Sequence, residues 1–260
     1  MNSDPEEEAE LPYEIGQAAS VGDFDSVKAW LAGGSASAPR SINSCGEDDW
    51  TLLHWTAVSR PPTPEHVEFA RYLLSQGARV DAQSQRKKST ALHYACDNTS
   101  ADMVSVLVAA GAAVNMGTAT GITPLFMIDE PSESTLDIVT ILLRAGASLD
   151  YEDRQGSIWS FEEHLNSIIS GLYAEHVRAI RTLVASVRAA GSWKAHCKLA
   201  HKEVLRLRSL VARGRAKLPR ARRRSPRSHD ARQKRVLEFL MRQGDNGTVW
   251  NILSFWCATN

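Results

Sequence analysis

Apolar positions along the chain come in short bursts of helical spacing, not in the strict alternation of strands. The run from Ser89 to Asn115 holds two such bursts with a turn between them, and its landmarks recur on both sides at intervals of about thirty to forty residues. The second burst of each unit falls at 67–74, 102–108 and 137–143, and each is followed by a glycine and an alanine: Gly77-Ala78, Gly111-Ala112 and Gly146-Ala147. An earlier copy carries Ala18-Ala19, Gly22-Asp23 and an apolar run at 27–31 at the same offsets. The pattern predicts paired short helices, repeated in phase.

The residue types at each landmark have a physical reason. Thr51, Thr90 and Thr123 stand where a first helix begins, and a threonine hydroxyl can satisfy backbone N–H groups that the first turn leaves free. Pro124 follows Thr123 at a position that loses only an unpaired donor. The small residues Ala18, Ala19, Ala57 and Ala95 allow first helices to approach closely. Gly77, Gly111 and Gly146 suit a left-handed helix end. One such unit cannot cover both its apolar faces, so each needs a neighbour.

The first helix starts read Thr51-Leu52-Leu53-His54-Trp55-Thr56-Ala57, Thr90-Ala91-Leu92-His93-Tyr94-Ala95-Cys96 and Thr123-Pro124-Leu125-Phe126-Met127-Ile128-Asp129. With the following G-A and V-N or V-D steps, these residues resemble the ankyrin repeat and its T-P-L-H-x-A-A pattern. The resemblance covers a little over half of the chain. It implies an all-α solenoid of helix-turn-helix units joined by short β-hairpin loops, with further helices at the C-terminal end, and a protein partner bound in the concave groove.

Taken in order, the chain divides into an acidic leader expected to be disordered (1–12), four repeats (13–155), a degenerate fifth repeat or cap (156–191), a basic amphipathic helix (192–217), an Arg/Pro/Ser linker (218–231) and an amphipathic helical tail (232–260). A loose loop is expected between Gly33 and Asp49. Arg60-Pro61-Pro62-Thr63-Pro64 interrupts the second repeat between its helices, and a shorter insertion lies near Glu130-Pro131-Ser132-Glu133. The cap is read from Ser157-Ile158-Trp159-Ser160-Phe161 and from Val177, Ile180, Leu183 and Val184 at helical spacing. In the basic helix Leu199, Val204, Leu207, Leu210 and Val211 form a stripe expected to pack on the last repeat.

In the tail Val249, Ile252, Leu253 and Trp256 share one helical face. The sequence VWNILSFW resembles the ends of some ankyrin-repeat proteins from single-celled eukaryotes, and more distantly the opening helix of an F-box. The Leu-Pro that would precede an F-box helix is Asn246-Gly247 here. An F-box or SOCS-box role would make the chain a substrate adaptor whose tail docks on a ubiquitin-ligase core. The alternative is a helix folded back on the repeats.

At 260 residues and 43% hydrophobic content, the chain suffices for one solenoid or one to two compact domains. Cys45, Cys96, Cys197 and Cys257 lie far apart without a C-x-x-C pair and read as reduced thiols. The acidic start is the opposite of a secretory or organellar leader, and no apolar run reaches the length that spans a bilayer. A soluble protein, cytoplasmic or nuclear, is expected, with no membrane contact.

Zero formal net charge conceals a polarity. Arg220, Arg222, Arg223, Arg224 and Arg227 crowd the linker, a composition suited to nonspecific, salt-sensitive contact with phosphates or nucleic acid, or to nuclear import. The competing reading is a solvated linker. No base-reading element accompanies it.

Catalytic motifs are absent from the sequence: there is no phosphate-binding G-x-x-x-x-G-K-[ST], no G-x-G-x-x-G, no H-E-x-x-H and no G-x-S-x-G. No enzyme activity and no cofactor or metal is expected. His54 and His93 read as structural, their imidazoles bonding nearby backbone. His196, Cys197 and His201 fall short of the four ligands of a zinc site.

In the resembled pattern the residue after the histidine faces the groove, which gives a column of Gln17, Trp55, Tyr94 and Met127. Such a stripe, open to solvent, would suit a partner, and Trp and Tyr are favoured anchors. The alternative is that one or more of these side chains turns inward beside the small alanines. Trp50, Arg86, Lys87, Lys88, Asp153 and Arg154 from the hairpins would form a polar rim.

Overall fold

The computed structural model describes residues 10–33, 40–60, 62–129, 132–167, 174–199 and 201–202. Contacts divide the chain into two units, Met1–Arg181 and Thr182–Asn260.

Within the first unit the helices come in pairs: α1 (Tyr13–Val21) with α2 (Phe24–Ala32), α3 (Leu52–Ala57) with α4 (Pro64–Ser75), and α5 (Ala91–Asp97) with α6 (Ala101–Ala109). In the fourth pair a single 3-10 turn, Pro124–Met127, stands where a first helix is expected, and α7 (Thr135–Arg144) is the second. First helices touch in sequence, α1 to α3 to α5 to the 3-10 turn, and second helices likewise, α4 to α6 to α7. Leu52, Leu53, Leu73, Leu92, Met103, Leu107, Leu125, Ile138 and Leu142 fill the space between the rows and are almost wholly buried. Ala19, Ala57 and Ala95 are buried at the helix contacts, as their size requires.

The starts of α3, α4 and α5 are each fixed by a reciprocal capping box in which histidine replaces the usual glutamate. The Thr51 N–H donates to His54 Nδ1 at 3.2 Å, the Thr90 N–H to His93 Nδ1 at 3.0 Å, and the Thr63 N–H to His66 Nδ1 at 3.3 Å. The far nitrogen of each ring donates to a carbonyl elsewhere in the chain: His54 to Ser89 and His93 to Ile122 in the next repeat, and His66 back to Ser20, each at 3.2 Å. Both nitrogens are thereby committed, and for His54 and His93 this fixes the neutral ring with its proton on Nε2. Desolvation lowers the pKa of His54 and takes His93 down from 6.5 to about 4.

Phe126 occupies the corresponding position in the fourth pair and cannot make either bond. The buried Thr123 hydroxyl has no partner there, and the segment closes only a 3-10 turn. Phe126 instead packs on Tyr151, Phe161 and His164, with ring centroids 4.6–5.4 Å away.

The second helices end as their glycines dictate. Gly77, Gly111 and Gly146 have φ of 89°, 91° and 94°, and the alanine after each donates back to Leu73, Leu107 and Leu142. Polar residues then tie one repeat to the next. Asn43 accepts from the Arg79 N–H, Asp81 from the Ala113 N–H and Asn115 from the Ser148 N–H, at 2.7–2.8 Å.

The hairpin ends are also joined. The Gln85 N–H donates to the Asp48 carbonyl and the Ala119 N–H to the Lys87 carbonyl, both at 2.7 Å. The last hairpin is a true two-stranded sheet, β1 (Asp150–Glu152) paired antiparallel with β2 (Ile158–Ser160). It lies against Gly121, whose φ is +92° and where a Cβ would come within 2.6 Å of the Glu152 carbonyl oxygen. Gly121→Ala combines a disfavoured conformation with a backbone collision and should lower stability by roughly 2 kcal/mol. A urea titration showing an unchanged midpoint would contradict this account of the hairpin contact.

After β2 comes α8 (Phe161–Ser167), opened by a Ser160–Glu163 capping box in which Glu163 accepts from the Ser160 N–H at 3.1 Å. Helix α9 (Ala174–Ala190) follows, and the unit boundary falls inside it. Val177 and Ile180 belong to the first unit and Leu183, Val184 and Val187 to the second, and all five are buried. Helix also runs over 193–199, with Leu199 exposed. The rest of the expected basic helix, the arginine cluster from Arg220 to Arg227, and the tail lie outside the described residues.

Candidate binding face of the first helices

The column expected along the first helices is present only in part. Gln17 on α1 is exposed, while Trp55 on α3 and Met127 in the 3-10 turn are half-buried. Tyr94 on α5 departs from the open stripe: its exposure is 8%. The physical reason is Trp50, which leaves the hairpin before α3 and lays its indole against both neighbours, with ring centroids 4.9 Å from Trp55 and 4.9 Å from Tyr94. Trp50 thus covers Tyr94 and takes its place on the surface, moving from expected rim to the middle of an aromatic cluster.

The cluster continues to α1 through Tyr13. Its ring meets Trp55 edge-on at 5.4 Å and is 58% exposed. Trp55 can reach α1 because Gly16 has no side chain, and a methyl group there would collide with the indole. The sequence held a signal for Tyr13: it precedes Gln17 by four residues, so the two share a helix face.

The rim residues have distinct roles. Asp48 accepts from the Arg86 N–H at 2.8 Å and from its Nε at 3.2 Å. Burial opposes the Asp48 carboxylate, but the Arg86 donors outweigh it and hold its pKa below the ordinary value. Lys87 and Lys88 are exposed, and Lys88 takes a left-handed φ of 54°. At the last hairpin Asp153 accepts from Trp159 Nε1 at 3.0 Å and from the Ser157 and Gln155 N–H groups at 2.9 and 2.8 Å. Those donors lower its pKa, the indole first, so Asp153 organises its own turn. Arg154 is exposed.

The two suspected histidines, His54 and His93, are buried in the caps described above, their nitrogens committed to backbone. Among the described residues Cys45, Cys96 and Cys197 form no disulfide, and burial pushes the Cys96 pKa up. Among the described residues no group of three His, Cys, Asp or Glu side chains could hold a metal ion, and no helix is long and apolar enough to cross a membrane.

A family model described as ankyrin repeats (3 copies) matches residues 15–118 and 65–153. Among curated proteins, the chain is 33% identical over 105 residues to human "Ankyrin repeat and SOCS box protein 16", a match covering 39% of this chain and 22% of that protein. It is 34% identical over 86 residues to the mouse protein of the same name, covering 32% and 18%. It is also 34% identical over 95 residues to "Palmitoyltransferase Hip14" of Drosophila melanogaster, covering 34% and 14%. The chain therefore spans less than a quarter of the length of these relatives.

Proposed function

Because this chain belongs to the ankyrin-repeat family, we propose that it is a non-catalytic scaffold that holds a partner protein against the face carrying Trp50, Trp55 and Met127. The observation that carries the reading is the aromatic cluster: large rings left partly open on a row of otherwise close-packed helices. Large anchors of this kind supply most of the energy of a protein interface, and truncating one removes roughly 2 kcal/mol or more. Gln17 and the exposed Lys87, Lys88 and Arg154 would surround the contact.

The test compares full-length wild type with Trp50→Ala and with Met127→Ser as baits, after thermal melts establish that each folds. Partners captured by wild type should be retained about 30-fold less well by Trp50→Ala. Undiminished capture by both variants would remove the face from consideration.

A second reading is favoured by the names of the human and mouse relatives, which pair ankyrin repeats with a SOCS box. In it the repeats select a target and the tail at 249–256 docks on a ligase core. A chain ending at Gly191 should then keep its target and lose the ligase components. Identical partner sets for the two lengths would rule the adaptor out.

A further inference from the structure

Several acidic side chains lie near the aromatic cluster in sequence, and their charge bears on what it can bind. The Leu11 N–H donates to the Cys45 carbonyl at 3.0 Å, and the Gly46 N–H to the Trp50 carbonyl at 2.9 Å. A Cβ at Gly46 would collide with the Leu11 backbone, so Leu11 packs directly against Cys45 and Gly46. Glu10 and Glu14 lie on one of these segments and Glu47 and Asp49 on the other, within three residues of Tyr13 or Trp50 in sequence.

All four carboxylates are exposed, and among the described residues none makes a salt bridge to a lysine or arginine. The nearby Asp48 is the exception, because Arg86 already occupies it. Asp48 and Asp49 both hold left-handed φ values, 61° and 58°, unusual for residues with a Cβ. The loop that presents Trp50 is thus built around this acidic corner.

An acidic segment would be repelled here. A purely apolar one would strip water from carboxylates without pairing them. A guanidinium satisfies both features at once, stacking flat on an indole or phenol while its edge donates to a carboxylate. Lysine offers the charge without the plane.

We propose that this end of the face docks an arginine-rich extended segment of another protein, its guanidinium groups stacked on Tyr13 and Trp55 and paired with Glu14, Glu47 and Asp49. The proposal rests on the binding face argued above and specifies the partner's chemistry at its N-terminal end.

The experiment titrates the full-length protein into fluorescein-labelled 12-residue peptides in which Arg, Lys or Gln alternates with Ser, followed by anisotropy at low and moderate salt. The Arg peptide should bind saturably, the Lys peptide about 5-fold more weakly, and the Gln peptide not at all. The triple variant Glu14→Gln, Glu47→Gln, Asp49→Asn should weaken Arg-peptide binding by about 10-fold or more, and Tyr13→Ser by roughly 3-fold. These positions are exposed, so the fold should survive, as melts would show. Neutralising Asp4, Glu6, Glu7 and Glu8 controls for the acidic leader and should weaken binding less than the triple variant does.

The proposal is overturned if the Arg peptide fails to bind, if the triple variant binds like wild type, or if the leader variant alone abolishes binding. Equal affinity for the Arg and Lys peptides together with an indifferent Tyr13→Ser would also overturn it, leaving only unspecific charge attraction. Should any of these occur while Trp50→Ala still sheds captured partners, the binding face stands and only its assigned chemistry falls. The converse pattern would retire the wider face and keep this corner.

Discussion

Acidification from pH 6.5 to pH 4 should destabilise the first unit by about 3 kcal/mol through His93 alone, with His54 adding in the same direction. The sign follows from the pKa change. In the folded protein burial keeps His93 neutral until about pH 4, whereas in the unfolded chain it takes up a proton near 6.5. Between those values the unfolded state binds more protons, so acid favours it. The stabilisation is fully present above pH 6.5, declines through the window and levels off below about pH 4. Asp23, Asp153 and Glu163 have lowered pKa values through their hydrogen bonds, and their contributions fade only as pH drops through the carboxylate range. Urea titrations from pH 7.5 to pH 4 should show the midpoint falling by pH 5, before those carboxylates titrate. A midpoint that stays level to pH 4.5 would mean that the rings are already charged or solvated.

The helical stack was legible because its cause is local. Thr51, Thr90 and Thr123 mark starts through cap chemistry, and Gly77, Gly111 and Gly146 mark ends through backbone conformation, so neither needs knowledge of the neighbours. The binding column was legible only in part. Helical periodicity places Tyr94 on the same face as Trp55, but cannot say that a residue from a hairpin will cover it. Trp50 does so because Asp48 and Asp49 both adopt left-handed conformations, which non-glycine residues do not announce in sequence. Tyr13 was missed for a related reason: α1 lacks the threonine and histidine landmarks, and Pro12 opens it without a side-chain cap. The shortened fourth start was visible as Phe126 in the histidine position, though its consequence needed the orphaned Thr123 hydroxyl.

That fourth start also indicates what happens when a histidine cap is deleted. With phenylalanine at the position, the chain there forms a 3-10 turn of four residues where α5 forms seven residues of helix, and it recruits Tyr151, Phe161 and His164 to fill the space. His93→Ala would have no such compensation. The Thr90 N–H would lose its acceptor, the Ile122 carbonyl would keep only the Thr118 N–H as donor, and a cavity would open beside α5. One unsatisfied buried donor and the lost ring volume sum to about 3–4 kcal/mol, against which the better helix propensity of alanine is small. At pH 7.5 the variant's urea midpoint should fall accordingly, or the unit should unfold outright. If it remains folded, its stability should no longer carry the His93 share of the acid response, about 3 kcal/mol between pH 6.5 and 4. Loss of stability with an unaltered acid response would mean that the ring acts by filling space, and that bridging one repeat's cap to the next repeat's carbonyl contributes little.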